Sequence, residues 1–326
     1  MKTLKSLTII ALAAMSLASC QKNSPVEIVP DGYKKVNFAL GTRASGAATE
    51  TTVNKVQISV FDNNGKYVAG KSGDGSQISL NVPVGVSNFY VCALANGADD
   101  NIYKIPNLDT LKKRRSVLGA SGNLFEMFVI RDKVALQQEQ TCSLEVKRFA
   151  SKVEIDAVKD SIQYNHSLTI NKIYLVNVNS NVNFDFTTET KDMVYKQLGE
   201  YKSGESTITP FTYEEISSGN ILKSGETYSR QHSFYCYPNP VTTEAGDFKF
   251  TRLVLEATLD GSKYYYPVNI VGGDKGIESN KVYKVTQMTI AGPGSSSPDV
   301  PVNKKDLTFK VEVAEWENGT SQAVTI

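Results

Sequence analysis

Apolar and polar residues alternate with a period of two along most of this chain, a rhythm that builds half-buried strands and does not build the 3.6-residue stripe of an amphipathic helix. In VNKVQISVF (53–61) it puts Val56, Ile58 and Val60 on one face. The same pattern predicts strands in SQISLNV, SNFYVCALA, LFEMFVI, CSLEVKRFASKVEIDAV, LTINKIYLVNV, HSFYCYP, FTRLVLEATL, KYYYPVNIV and NKVYKVTQMTI. Gly, Asn, Pro and Asp interrupt these segments at short intervals, so the chain reads as all-β and built from β-sandwiches. Asn64-Gly65 predicts a two-residue hairpin turn, because both residue types tolerate positive φ. The best candidate for a helix is a short one over residues 108–118.

A length of 326 residues with 40% hydrophobic content suffices for one large or two ordinary domains, each with its own core. An internal echo favours two. VNKVQISVF and INKIYLVNV (170–178) share an Asn-Lys pair followed by alternating apolar residues, and each follows another strand, KKVNFAL or LEVKRFASKVEI. The reading is two sandwich domains of related build over 44–142 and 143–290. AGPGSSSPDVPVNKK (291–305) then predicts a semi-extended linker. Past it, DLTFKVEVAEW has Leu307, Phe309, Val311 and Val313 on one face and Thr308, Lys310 and Glu312 on the other. QAVTI repeats the alternation with Val324 and Ile326, so segment 291–326 reads as a pair of strands on a tether.

The N-terminus reads as an export signal. Lys2 and Lys5 supply the charged part, residues 7–18 the apolar part, and LASC (17–20) the exit. That apolar run is too short to span a bilayer, which takes about 20 residues. LASC followed by the polar QKNS looks like a bacterial lipobox with Cys20 as the lipidated first residue of the mature chain; the plainer alternative is an ordinary signal peptide. Several acyl chains on one residue hold a protein firmly at a membrane, whereas one is marginal. Losing residues 1–19 removes two lysines and shifts the formal charge from +1 to −1. Cys92, Cys142 and Cys236 remain, an odd number set in apolar segments where cysteine behaves as a small hydrophobe.

Near-neutral charge argues against a nucleic-acid partner, which calls for clustered Lys and Arg. The one basic cluster, Lys112 to Arg115, reads as a solvated loop or short helix. Only two histidines, His166 and His232, are present, and no metal-ligand, nucleophile-elbow or phosphate-loop pattern occurs. The acidic pairs Asp99-Asp100 and Glu214-Glu215 read as turn residues, and the tyrosines of KYYYPVNI as packing in a sandwich rather than a glycan platform. The expectation is a protein that is not an enzyme and has no cofactor and no metal.

Both ends of the mature chain carry the same kind of strand. KKVNFAL offers Val36, Phe38 and Leu40, and DLTFKVEV offers Leu307, Phe309, Val311 and Val313. Between the first of these and the next strand stands Arg43, followed by Ala44, within the small and flexible GTRASG, a backbone suited to a protease. If the bond after Arg43 is cut and the first strand leaves, a groove opens that a strand from a neighbouring molecule can fill by strand addition. Such a contact is head-to-tail and does not close, so its repetition makes a filament. The plain alternative is a surface arginine that is never cut.

LASC, VNFALGTRA, NKVQISVFDNNGKYV, KRFASKVEI, YCYPNP, NKVYKVTQMTIAGPGSSSPDVP and the closing LTFKVEVAEW occur in an order that resembles the lipoprotein-precursor fimbrillins of the Bacteroidales, the FimA-like major fimbrial subunits of type V pili. The resemblance spans nearly the whole chain. It implies two tandem β-sandwich domains of transthyretin-like type with C-terminal donor strands. It also implies a precursor lipidated at Cys20, carried to the outer membrane surface and cut at Arg43-Ala44 by a trypsin-like surface protease. Residues 20–43 are then a propeptide whose Val36, Phe38 and Leu40 form the expelled strand. The implied donor is Leu307, Phe309, Val311 and Val313, with Trp316, Val324 and Ile326 as further anchors. Partners are identical or related pilin subunits, and the fimbrium would serve adhesion and biofilm formation through a receptor the sequence does not name. One departure is the end AVTI, where a stalk subunit is expected to carry an aromatic. An anchor or tip subunit of the same system, or a surface glycan-binding lipoprotein, are the other readings.

Overall fold

The computed structural model describes residues 29–42, 48–85, 87–98, 101–179, 181–188, 193–194, 196–197, 200–201, 209–216, 220–246, 248–316 and 321–322. The first half holds strands β1 (Tyr33–Gly41), β2 (Lys55–Phe61), β3 (Tyr67–Asp74), β4 (Gln77–Pro83), β5 (Phe89–Ala95), β6 (Arg115–Val117), β7 (Met127–Val134), β8 (Thr141–Glu145) and β9 (Lys147–Arg148). Short helices α1 (Ala48–Thr51) and α2 (Leu108–Lys112) interrupt them. The second half holds β10 (Ser151–Ile155), β11 (Val158–Asp160), β12 (Leu168–Val176), β13 (His232–Cys236), β14 (Arg252–Leu259), β15 (Ser262–Asn269), β16 (Lys281–Ile290) and β17 (Leu307–Glu315), with several two- and three-residue strands among them.

A three-stranded sheet of order β4-β1-β8 faces a five-stranded sheet of order β3-β2-β5-β7-β9. Alternation on the first sheet turns Val36, Phe38, Leu40, Ile78, Leu80 and Val82 inward, where they form one cluster with Val56, Ile58, Val60, Phe89, Val91 and Ala93 from the second. That is a β-sandwich. In β5 the remaining residues Cys92 and Leu94 are also buried, in a second and larger cluster that runs on into the other half of the chain. The near-continuous apolar run FYVCALA follows from burial of β5 on both faces.

The second half repeats the plan. One sheet runs from Thr227–Tyr228 and β11 through β16 and β10 to β13, and β17 extends it beyond β16; the facing sheet orders Tyr213–Glu215, β12, β14 and β15. The two halves match in polarity as well as in layers. β1 lies antiparallel to β4 and parallel to β8. β10 likewise lies antiparallel to β13 and parallel to β16. The echoed segments become β2 and β12, each inside the sheet that faces these strands.

Four local expectations meet a different outcome. Asn64-Gly65 closes a three-residue loop rather than a two-residue turn: Asp62 N–H donates to Lys66 O at 2.9 Å, and Gly65 N–H donates to Asp62 O at 2.9 Å. Only Gly65 takes positive φ (74°), because the Asp62 carboxylate already accepts from Asn64 N and Lys66 N and holds a type I turn that needs one left-handed residue after it. The helix expected over 108–118 stops at Lys112, and Arg115–Val117 pairs as β6 with Asn181–Asn183. CSLEVKRFASKVEIDAV breaks into β8, β9, β10 and β11, and β8 joins β1 rather than the second half, so the sequence boundary at 142/143 falls inside a strand of the first sandwich.

The stretch 291–305 is not a free tether. Tyr265 N–H donates to Ser295 O at 3.0 Å and Ser295 N–H returns the bond at 2.9 Å. The Tyr266 hydroxyl donates to Gly292 O. A Cβ at Gly294 would stand 2.5 Å from Tyr265 O, so glycine is what lets the segment lie this close to β15. The buried Arg252 ties Asp299 to Glu244 and Asn269. No helix among the described residues is long and apolar enough to cross a membrane.

Candidate functional site

Among the described residues β1 is the central strand of its sheet and joins β4 to β8. Its antiparallel register runs from Tyr33 opposite Pro83 to Ala39 opposite Gln77, and its parallel register from Asn37 opposite Thr141 to Gly41 opposite Glu145. Further main-chain bonds bracket the ladder, including Leu40 N–H to Ser76 O at 2.8 Å and Val146 N–H to Gly41 O at 3.1 Å. Of the three inward side chains, Val36 is 0%, Phe38 1% and Leu40 7% exposed. β1 ends at Gly41, two residues before Arg43. Arg43, Ala44, Cys20, Val324 and Ile326 lie outside the described residues, as do Asp99 and Asp100.

At the other end, β17 lies antiparallel to β16 of the same chain, from Lys281 opposite Glu315 to Ile290 opposite Leu307, with a bulge between Val285 and Met288. A two-residue strand, Ser321–Gln322, covers its far end. Leu307 and Val311 are buried, whereas Phe309 and Val313 on the same face are half-buried. β1 is thus locked between two strands inside a sandwich, and β17 is an outer strand with one fully paired flank. Peeling an outer strand leaves the sheet it came from continuous; extracting a central one splits it.

Trp316, next after β17, is 3% exposed. Tyr235 stacks on it at 5.7 Å, Phe125 meets it edge-on at 5.7 Å, and the Arg148 guanidinium lies 4.4 Å from its ring centroid. Around this cluster sit Glu50 and Lys152, 3.0 Å apart. Burial pushes the Glu50 carboxyl up, but the Tyr235 hydroxyl and the Lys152 ammonium outweigh it and leave its pKa below the usual carboxylate value. Burial also opposes the charge on Lys152, and hydrogen bonds to Glu154 and Glu50 outweigh it in turn, holding that pKa above normal. Glu50 is a lone charge in a polar stretch, and Arg148 belongs to the KRFASKVEI motif with no role assigned to it, until the fold brings both to Trp316.

The remaining chemical candidates sit in structural networks. His166 hydrogen-bonds the Tyr164 carbonyl at 2.6 Å and the buried Asp160, and His232 bridges Glu214 at 2.7 Å and the Tyr228 hydroxyl at 2.9 Å. Tyr265 and Tyr266 of KYYYPVNI are buried beneath residues 292–295, and Tyr264 is half-buried. Cys92 and Cys236 are buried free thiols and Cys142 a half-buried one. Burial pushes the Cys236 thiol up to about 12 and raises the other two as well. Among the described residues no group of His, Cys, Asp and Glu is arranged to hold a metal ion.

Residues 34–140, from within β1 to the residue before β8, match the family model of the major fimbrial subunit protein, FimA. No curated protein sequence matches the chain. Solved structures with a similar fold include a fimbrilin (FimA) of Porphyromonas gingivalis, with TM-score 0.63 and 14% identity over 89% of this chain and 99% of that one. A "putative cell adhesion protein" of Bacteroides eggerthii aligns with TM-score 0.64 and 16% identity over 88% of this chain and 97% of that one. The tip fimbrial protein Mfa3 of P. gingivalis aligns with TM-score 0.54 and 14% identity over 88% of this chain and 100% of that one. From β1 to the threshold of β8 the chain matches the family model of the FimA major fimbrial subunit, and over 89% of its length it shares the all-β fold of a solved fimbrilin.

Proposed function

We propose that this chain is the polymerising structural subunit of a surface fimbrium. In this reading it is exported as a lipoprotein on Cys20, reaches the outer membrane surface, and is cut after Arg43 by a trypsin-like protease. β1 then leaves, and the groove between β4 and β8 takes β17 of a neighbouring subunit. The observation that carries the reading is the placement of β1: a central strand whose inward side chains Val36, Phe38 and Leu40 are buried and which ends two residues before Arg43. Val36, Phe38 and Leu40 each contribute about 1.5–3 kcal/mol of burial, so their departure uncovers roughly 5–9 kcal/mol of apolar surface. That is comparable with the stability of a whole domain, and β4 and β8 lose their shared partner at the same time. An open groove of this kind demands a replacement strand with the same alternation, which Leu307, Phe309, Val311 and Val313 supply.

The test is N-terminal sequencing and intact mass of the protein taken from the cell surface, alongside Arg43→Ala and a deletion of residues 306–326. A chain that begins at Ala44 and runs as high-molecular-weight ladders, lost in both variants, supports the reading. An uncut, acylated monomer sinks it. A terminal subunit that accepts a strand and never donates one is the second reading, favoured by the burial of Trp316 on its own subunit; it predicts that the 306–326 deletion leaves incorporation intact.

A further inference from the structure

The helix that follows the proposed cut and the residue just past the proposed donor strand meet in one buried cluster. Glu50 Oε1 accepts from the Tyr235 hydroxyl at 2.7 Å and pairs with Lys152 at 3.0 Å. The main-chain oxygen of Glu50 accepts from Arg148 Nε at 2.9 Å and also from Nη2. Tyr235 and Arg148, so held, form two of the walls around the Trp316 indole. Trp316 N–H donates to Asn280 O at 2.9 Å, which continues the β16–β17 ladder into the cluster. Glu50 belongs to α1, a helix of four residues that starts at Ala48, five past Arg43. A helix this short has no stability of its own, so its position depends on what ties each end. In the uncut chain those ties are the locked β1 on one side and β2 on the other.

We propose that this cluster is a latch linking processing to strand donation: Glu50 orients Tyr235 and Arg148 against Trp316 and so keeps β17 on its own subunit until the bond after Arg43 is cut. Cutting unties α1 from β1 and leaves it close to a free chain end, where order is weakest. Glu50 then holds its partners for a smaller fraction of the time, Trp316 leaves its cage more often, and β17 opens from the flank of β16. A subunit whose own groove has not opened therefore does not offer its strand. This rests on the reading of the chain as a donor subunit, but it is tested on the monomer.

The experiment is hydrogen exchange followed by mass spectrometry on the full secreted chain, uncut and after limited trypsin cleavage verified by mass at Arg43. Glu50→Gln and Tyr235→Phe, which keep side-chain shape, are measured uncut. The expected result is exchange in β17 faster by roughly tenfold in Glu50→Gln, by less in Tyr235→Phe, and by a comparable factor on cutting, with β14 unchanged in all three. Unchanged β17 exchange in the variants overturns the proposal. Acceleration in the variants without acceleration on cutting also overturns it, because the cage would then be structural only. A cut chain whose β17 loosens but which forms no ladders sinks the donor-strand reading and leaves the latch standing.

Discussion

Phe38→Ala separates the precursor from the assembled form. Phe38 is 1% exposed, lies on β1 opposite Ile78 on one side and Cys142 on the other, and packs in the core of the first sandwich. Truncating a fully buried phenylalanine costs about 3–5 kcal/mol, the lost transfer energy plus the cavity left behind. With a urea dependence of about 2 kcal/mol per M for a domain of this size, the midpoint of the uncut chain falls by roughly 2 M. If β1 is expelled, the side chain is absent from the mature subunit, and ladders built from the variant resist heat and denaturant as the parent's do. The assay is urea unfolding of the precursor by near-ultraviolet circular dichroism, paired with thermal dissociation of purified polymer. Equal destabilisation of precursor and polymer would refute the reasoning, since β1 would then still be in the fibre. No shift in the precursor would refute the placement of Phe38 in the core.

Two further outcomes follow from the structure. Cys142 sits opposite Phe38 in the parallel ladder and is half-buried. Maleimide labelling of Cys142 is therefore expected to be slow in the precursor and to rise in the cut chain before a donor strand fills the groove, while Cys92 and Cys236 stay protected; peptide mass mapping reads this, and equal labelling of the precursor and the cut monomer refutes it. Burial lowers the pKa of His166, but its bonds to the Tyr164 carbonyl and Asp160 outweigh that and raise it. A raised folded value means the charged imidazolium stabilises the fold fully below the unfolded pKa, about 6.5, and this contribution fades as pH rises through the folded value. Melting temperature is expected to fall across that window in the parent and to be flatter in His166→Gln; a parent profile that rises there contradicts the assignment.

Period-two alternation by itself determined that this chain is built from strands, that Val36, Phe38 and Leu40 face one way, and that Leu307, Phe309, Val311 and Val313 face one way. Those are local properties, set by the geometry of extended backbone. The repeated Asn-Lys segments lie on β2 and β12. Strand order was not legible, because ladder partners far apart in sequence are chosen by packing, and only the tertiary structure puts β1 between β4 and β8 and β17 outside β16. The loop at Asn64-Gly65 turned on one carboxylate, Asp62, that composition treats as an ordinary turn residue. Residues 291–305 have the composition of a tether, yet Ser295 exchanges main-chain hydrogen bonds with Tyr265 on β15 and the segment lies down. Glu50, Arg148 and Trp316 are separated by 98 and 168 positions in the contacts that join them. A pairing of that kind is decided by where the sheets bring the chain back, and no local pattern encodes it.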